Sequence, residues 1–200
     1  MSGVAAIVLA AGTASRMGGR HKLLAEFGGE PQARRAARAA LDAGARPVVV
    51  VTGHRHAEIA ACLDGLSVSV ARNPDFAAGM AGSLKVGLAA LPGEAVSGVL
   101  VVLADMPLVT AAHMAALVAA FEAAEGRAVV RATAGGVAGN PVVLPAALFP
   151  ALSSLRGDRG AREAIRLSGL PVVSVEIGAA ALADADTPEA VETLGGVLRG

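Results

Sequence analysis

The sequence has no tryptophan and no tyrosine, and its aromatic rings are confined to Phe27, Phe76, Phe121, Phe149 and four histidines. A nucleobase sandwiched between large rings is therefore not expected. The four phenylalanines read as core or packing residues, which leaves backbone and small polar groups to recognise any base. Cysteine is represented by Cys62 alone, excluding an intrachain disulfide and a cysteine-based zinc cluster and making the cytoplasm the expected compartment. Charge of either sign is not in excess: Lys+Arg and Asp+Glu are both 17, for a formal net charge of +0. Neither nucleic acid nor an anionic membrane would be drawn to such a chain. No apolar run approaches the ~18 residues needed to span a bilayer. The apolar start, Val4 to Ala11, lacks a basic flank and is not expected to be a signal peptide.

What is abundant is small and apolar. Hydrophobic residues make up 54% and charged residues 17%, which excludes disorder, and the excess is largely alanine, suited to tightly packed helices. A length of 200 residues fits one domain, 1–200, with a full core. Short apolar runs at Val4–Leu9, Pro47–Thr52, Val68–Ala71, Val99–Leu103, Val129–Ala132 and Val172–Val175 read as strands covered on both faces. Between them, Ala33–Ala43, Ala57–Leu63, Ser83–Leu91, Ala111–Ala124 and Ala161–Leu167 read as helices. The alternation predicts an α/β fold, a doubly wound, mostly parallel sheet with helices on both faces. "AGGVAGNPVVLP" breaks the alternation and reads as a hairpin insertion.

Ligands of such sheets sit beyond the carboxyl ends of the strands. The first strand leaves through "LAAGTASRMGGRHKLL", which is neither a dinucleotide fingerprint nor a Walker A loop. Its consecutive backbone N–H groups from Ala10 to Ala14 form a phosphate nest, and Arg16 and Lys22 supply a planar fork and a point charge for a polyphosphate. Arg20 and the Arg34–Arg38 group read as ordinary solvated cations. The run "VVLADMPLVT" places Asp105 at a strand end, where a carboxylate can hold Mg²⁺ together with phosphate and water, or serve only as a turn residue before Pro107. In "DADTPEA", Thr187 is an expected N-cap and Pro188 a first helical residue. Capping does not use both Asp184 and Asp186, so one or both can complete a Mg²⁺ site. His21, His54, His56 and His113 form no nucleophile or metal pattern. His54, at a strand end, reads as a solvated loop residue or, alternatively, a nucleotide contact, and His113, in an apolar helix, as structural.

Taken in order, "LAAGTASRMG" with "KLL", "VTGH", "NPDFAAGMAGSLKVGL", "VVLADMPLV", "GNPVVL", "LRGDRGAR" and "DADTPEA" resemble the nucleotidyltransferases that mature the molybdenum cofactor, above all the cytidylyltransferase branch. The resemblance runs nearly end to end and implies a nucleotide-diphospho-sugar-transferase-like fold. It assigns nucleotide binding to Leu9, Ala10, Ala11, Gly12, Arg16, Lys22, Asn73, Gly82 and Ser83. Catalysis falls to Arg16, Lys22 and Asp105, and Mg²⁺ to Asp105, Asp184 and Asp186. "GDRGAR" resembles the segment near the pterin substrate. The chain departs from the family pattern in three places: Gly19, Arg20 and His21 before Lys22, Ala138 where an arginine is usual, and Glu30 where a lysine is frequent.

The implied reaction is attack by the terminal phosphate of molybdopterin on the α-phosphorus of CTP, releasing pyrophosphate. Its nucleophile is already an anion, so positioning and charge neutralisation suffice. The guanylyl branch usually has Gly-Gly where this chain has Ala11-Gly12, and a methyl group at Ala11 narrows a pocket in favour of a pyrimidine. The alternatives are a guanylyltransferase, a nucleotidyltransferase for a sugar or isoprenoid phosphate, or a non-catalytic accessory that hands cofactor to a recipient molybdenum hydroxylase.

Overall fold

The computed structural model describes residues 3–14, 16–92, 96–154 and 161–198. Its strands and helices follow in the order β1 (Val4–Ala10), β2 (Glu26–Phe27), β3 (Glu30–Pro31), α1 (Gln32–Asp42), β4 (Val48–Thr52), α2 (His56–Cys62), β5 (Ser69–Arg72) and α3 (Met80–Ala89). They continue with β6 (Gly98–Leu103), α4 (Ala111–Ala123), β7 (Val129–Ala134), β8 (Val137–Pro145), α5 (Phe149–Ser153), α6 (Ala161–Ser168), β9 (Val172–Glu176), α7 (Pro188–Thr193) and β10 (Gly196–Val197).

Seven strands form one sheet in the order β5-β4-β1-β6-β8-β7-β9. Only β8 runs against its neighbours. It is antiparallel to β6 and to β7, so the glycine-rich "AGGVAGNPVVLP" stretch is a hairpin within the sheet. The central strands are apolar on both faces because helices cover both. Val50, Val102 and Val130 share a core with Ala37 of α1 and Leu117 of α4. On the other face, Ile7, Val49 and Val101 pack with Leu84 of α3 and Ile165 of α6. The edge strands depart from that pattern: β5 and β9 are largely exposed, since each has a neighbour on one side only. Among the described residues, no helix is long and apolar enough to cross a membrane.

Chain order reverses beside β1. From β1 the chain moves outward through β4 to β5, then returns to place β6 on the opposite side of β1, with Leu9 beside Leu103. Diverging connections leave a crevice at the carboxyl ends of two such strands. A second, three-stranded sheet, β10-β2-β3, is an element that sequence patterning did not anticipate because its strands are two residues long.

Candidate active site

The crevice is a cavity of about 330 Å³. Leu9, Ala11, Gly12 and Thr13 form one wall, Leu103 and Asp105 another, and Phe76, Ala77, Gly79, Met80 and Ser83 a third. Predicted residues Leu9, Ala11, Gly12, Ser83 and Asp105 thus converge on one space. Ala10, Arg16, Lys22, Asn73 and Gly82 are not among its lining residues. Ala10 is fully buried in the sheet. Asn73 is also buried, donating from Nδ2 to Ser83 Oγ at 3.0 Å and accepting from the Asp75 N–H at 3.0 Å. It braces Ser83 from behind.

At the mouth, Lys22 Nζ lies 2.5 Å from Asp105 Oδ2 and also hydrogen-bonds Asp186 Oδ1. Burial pulls the Lys22 ammonium toward neutrality, but the Asp105 and Asp186 carboxylates outweigh it and raise its pKa. The hydrogen bond from Lys22 holds Asp186 below the usual carboxylate range. Asp184, more exposed than Asp186, is pushed up, first by partial desolvation and then by repulsion from Asp186. Arg16 reaches the rim, with NH1 3.8 Å from Asp186 and a largely exposed side chain.

Apolar anchors bring these distant charges together. Met17, between Arg16 and Lys22, is fully buried, as is Ala185, between Asp184 and Asp186. Both pack with Ala25, Phe27 and Val191 in a small cluster of their own. The Ala185 N–H also donates to the Asp105 carbonyl at 2.9 Å, and Gln32 Nε2 donates to the Ala104 carbonyl at 3.0 Å. In "DAD", the middle residue is buried, while Asp184 is exposed and Asp186 is held by Lys22. Thr187 caps α7 as expected, accepting from the Ala190 N–H at 3.2 Å, with Pro188 as the first helical residue.

Several residues differ from their sequence-based reading. Phe76 lines the cavity. Its contact with the chain depends on Gly53, where a Cβ would sit 2.5 Å from Phe76 Cβ and 2.8 Å from the Ala11 carbonyl oxygen. His54 is not a solvated loop residue. It stacks on buried His21 with ring centroids 5.3 Å apart, and Phe76 follows at 6.0 Å. Desolvation, then the charges of His54 and Arg55, lower the His21 pKa to about 4. Arg34 and Arg35 are not free cations: Arg34 donates to the Cys62 and Asp64 carbonyls, Arg35 to that of Phe27. Glu30 pairs with Arg34 and Arg38. His113 is structural as expected, the partner of Thr110 in a capping box at the start of α4. In the "GDRGAR" stretch, residues 157–160 lie outside the described residues.

Residues 6–174 match the model of the MobA-like NTP transferase domain. The chain belongs to the MobA-like NTP transferase family. The fold of this NTP transferase domain is shared by a nucleotidyl transferase from Methanothermobacter, with a TM-score of 0.81, 25% identity and coverage of 97% of this chain and 96% of that one. Rv0371c from Mycobacterium tuberculosis superposes with a TM-score of 0.79 at 23% identity, covering 96% and 98%. By sequence, the domain is 40% identical to the bifunctional protein GlmU of Anaeromyxobacter over 58% of this chain and 25% of that protein. It thus spans about a quarter of the GlmU relatives it matches. Nicotine blue oxidoreductase of Paenarthrobacter nicotinovorans is 29% identical over 82% of this chain and 81% of the relative.

Proposed function

We propose that the protein transfers CMP from CTP to the terminal phosphate of molybdopterin in the cytoplasm, forming the cytosine dinucleotide and releasing pyrophosphate. The observation that carries the reading is a lysine held between Asp105 and Asp186 at the mouth of a cavity walled by the phosphate loop. An acceptor phosphate oxygen forms a bond to the α-phosphorus as the bond to the β-phosphate oxygen breaks. The Ala11–Thr13 loop receives the triphosphate, and Arg16 and Lys22 neutralise it, with Lys22 released from its carboxylates as phosphate oxygens take their place. Ala11 and Phe76 limit the room for the base.

The donor set suits a divalent ion. Asp105 and Asp186 already share one cation, and Mg²⁺ is commonly held by one or two carboxylates with phosphate completing its shell. No group of three or more metal ligands is assembled among the described residues, so Asp184 would act from outside the pair. When bound, Mg²⁺ supplies charge neutralisation at the phosphates. A solved Rv0371c from Mycobacterium tuberculosis is described as a complex with manganese, in keeping with a divalent ion in this fold.

Pyrophosphate release with CTP, GTP, UTP and ATP, each with and without molybdopterin, tests this reading. It predicts acceptor-dependent release with CTP foremost. A preference for GTP would make the protein the guanylyl counterpart, and release with no nucleotide would exclude transfer to this acceptor.

A further inference from the structure

A second cavity of about 360 Å³ adjoins the first, and Leu103 and Met80 line both. Its remaining wall comes from Arg131, Ala138, Asn140 and Val142 of the β7–β8 hairpin and from Arg162 and Ile165 of α6. Among the described residues, the wall contains two arginines and no carboxylate. Arg162 is exposed on its helix, whereas Arg131 rises from within the sheet, opposite Val142 on β8 and Ser174 on β9. Its Nε is sealed from solvent and has no hydrogen-bond partner among the described residues. A guanidinium nitrogen left in that condition costs free energy unless something else meets it.

Resting on the transfer reaction above, we propose that Arg131 binds the acceptor's far end through a planar edge bearing two adjacent hydrogen-bond acceptors. The guanidinium fork meets such an edge with paired N–H donors, whether it is a carbonyl beside a ring nitrogen or a carboxylate. Position sets the length of the ligand. β7 lies two strands from β6, and through Val142 Arg131 is level with Val101 rather than with Asp105, so the two backbone positions differ by roughly 10 Å across the sheet and roughly 13 Å along it. The acceptor therefore needs its nucleophilic phosphate and its planar edge at opposite ends of an extended molecule, which molybdopterin provides and a short sugar phosphate does not. Arg131 acts in acceptor selection and does not touch the nucleotide.

The test uses the full chain with its nucleotide site filled by a non-hydrolysable CTP analogue and Mg²⁺. Binding of pterin-6-carboxylate is read by its fluorescence in wild type, Arg131→Met and Arg131→Lys. The expected result is binding by wild type, at least tenfold weaker binding by Arg131→Met, and an intermediate value for Arg131→Lys, which keeps the charge and loses the fork. Affinity for the CTP analogue should be equal in all three, and a melting curve checks that each variant is folded. In turnover, Arg131→Met should raise the KM for molybdopterin at least tenfold while leaving that for CTP unchanged. Equal probe affinity in wild type and Arg131→Met, or an unchanged molybdopterin KM, overturns the role of Arg131 and leaves the transfer reaction intact. Failure of wild type to turn over molybdopterin overturns the transfer reading instead, and the probe titration alone then decides whether Arg131 binds a planar ligand.

Discussion

Lys22 and Asp105 are 83 residues apart in the chain and 2.5 Å apart in the structure, and the same ammonium bonds Asp186 from 164 residues away. One cation therefore stands where two carboxylates would otherwise repel. Under the proposed transfer reaction Lys22 has two roles, counterion to Asp105 and Asp186 without nucleotide and phosphate ligand with it. Lys22→Ala should separate them. Loss of a charge-assisted contact worth ~1.5–3 kcal/mol predicts a fall in kcat/KM of roughly ten- to a hundredfold. In chelator, the melting temperature should fall because Asp105 and Asp186 face each other unpaired, and Mg²⁺ should restore more stability in the variant than in wild type. Equal Mg²⁺ responses in calorimetry would contradict the shared site.

Met17→Ala tests the apolar anchor. Truncating a fully buried methionine is expected to cost ~2–5 kcal/mol. Because Met17 fixes the loop that carries Arg16 and Lys22, activity should drop even at temperatures where the variant is folded. Met17→Leu, close in volume, should retain both. Denaturant melts beside kcat/KM measurements check the pair.

The His21–His54 stack predicts a pH dependence of stability. His21 has a folded-state pKa of about 4 against an ordinary 6.5. Between those values the unfolded chain takes a proton that the folded chain refuses. Stability is therefore complete above 6.5, declines as pH falls, and levels off below about 4, the loss amounting to at most about 3 kcal/mol. His21→Asn cannot titrate and keeps an acceptor for the Leu23 N–H, which His21 Nδ1 accepts at 3.3 Å. The variant should show a flatter profile across that window in urea melts at several pH values.

Ala11→Gly tests base choice. Ala11 lines the cavity, and Gly12 next to it would have nothing within 4 Å of an added Cβ. Removing the Ala11 methyl should raise the use of GTP relative to CTP, by a partial amount, since a methylene-sized difference discriminates by ~1–3 kcal/mol. Competition between the two nucleotides measures the ratio, and an unchanged ratio would remove Ala11 from base selection.

The sequence made the frame of the site legible and left its supports hidden, for physical reasons. Strands such as Val99–Leu103 are apolar on both faces and announce a doubly covered sheet, and glycine-rich "LAAGTASRMGG" after such a strand announces a phosphate loop. Asp105 follows because it ends the neighbouring strand. Met17 and Ala185 were not found, although each is an apolar residue inside a polar motif and could have been noticed as an inward-pointing one. The His21–His54–Phe76 stack joins three loops, and only the fold can make those contacts. Asn73 is given as a nucleotide residue only by the family resemblance, and the fold shows its amide engaged with Ser83 and Asp75 inside the protein.

The most direct test follows the label in α-³²P-CTP. With Mg²⁺ and molybdopterin, wild-type protein should move label into a product heavier than molybdopterin by one CMP unit, in step with pyrophosphate release. Asp105→Asn should lower that transfer at least tenfold at limiting Mg²⁺ and recover part of it as Mg²⁺ is raised. Label that stays on CTP, or transfer that proceeds in Asp105→Asn as in wild type with the same Mg²⁺ dependence, would contradict a metal-assisted nucleotidyl transfer centred on Lys22, Asp105 and Asp186.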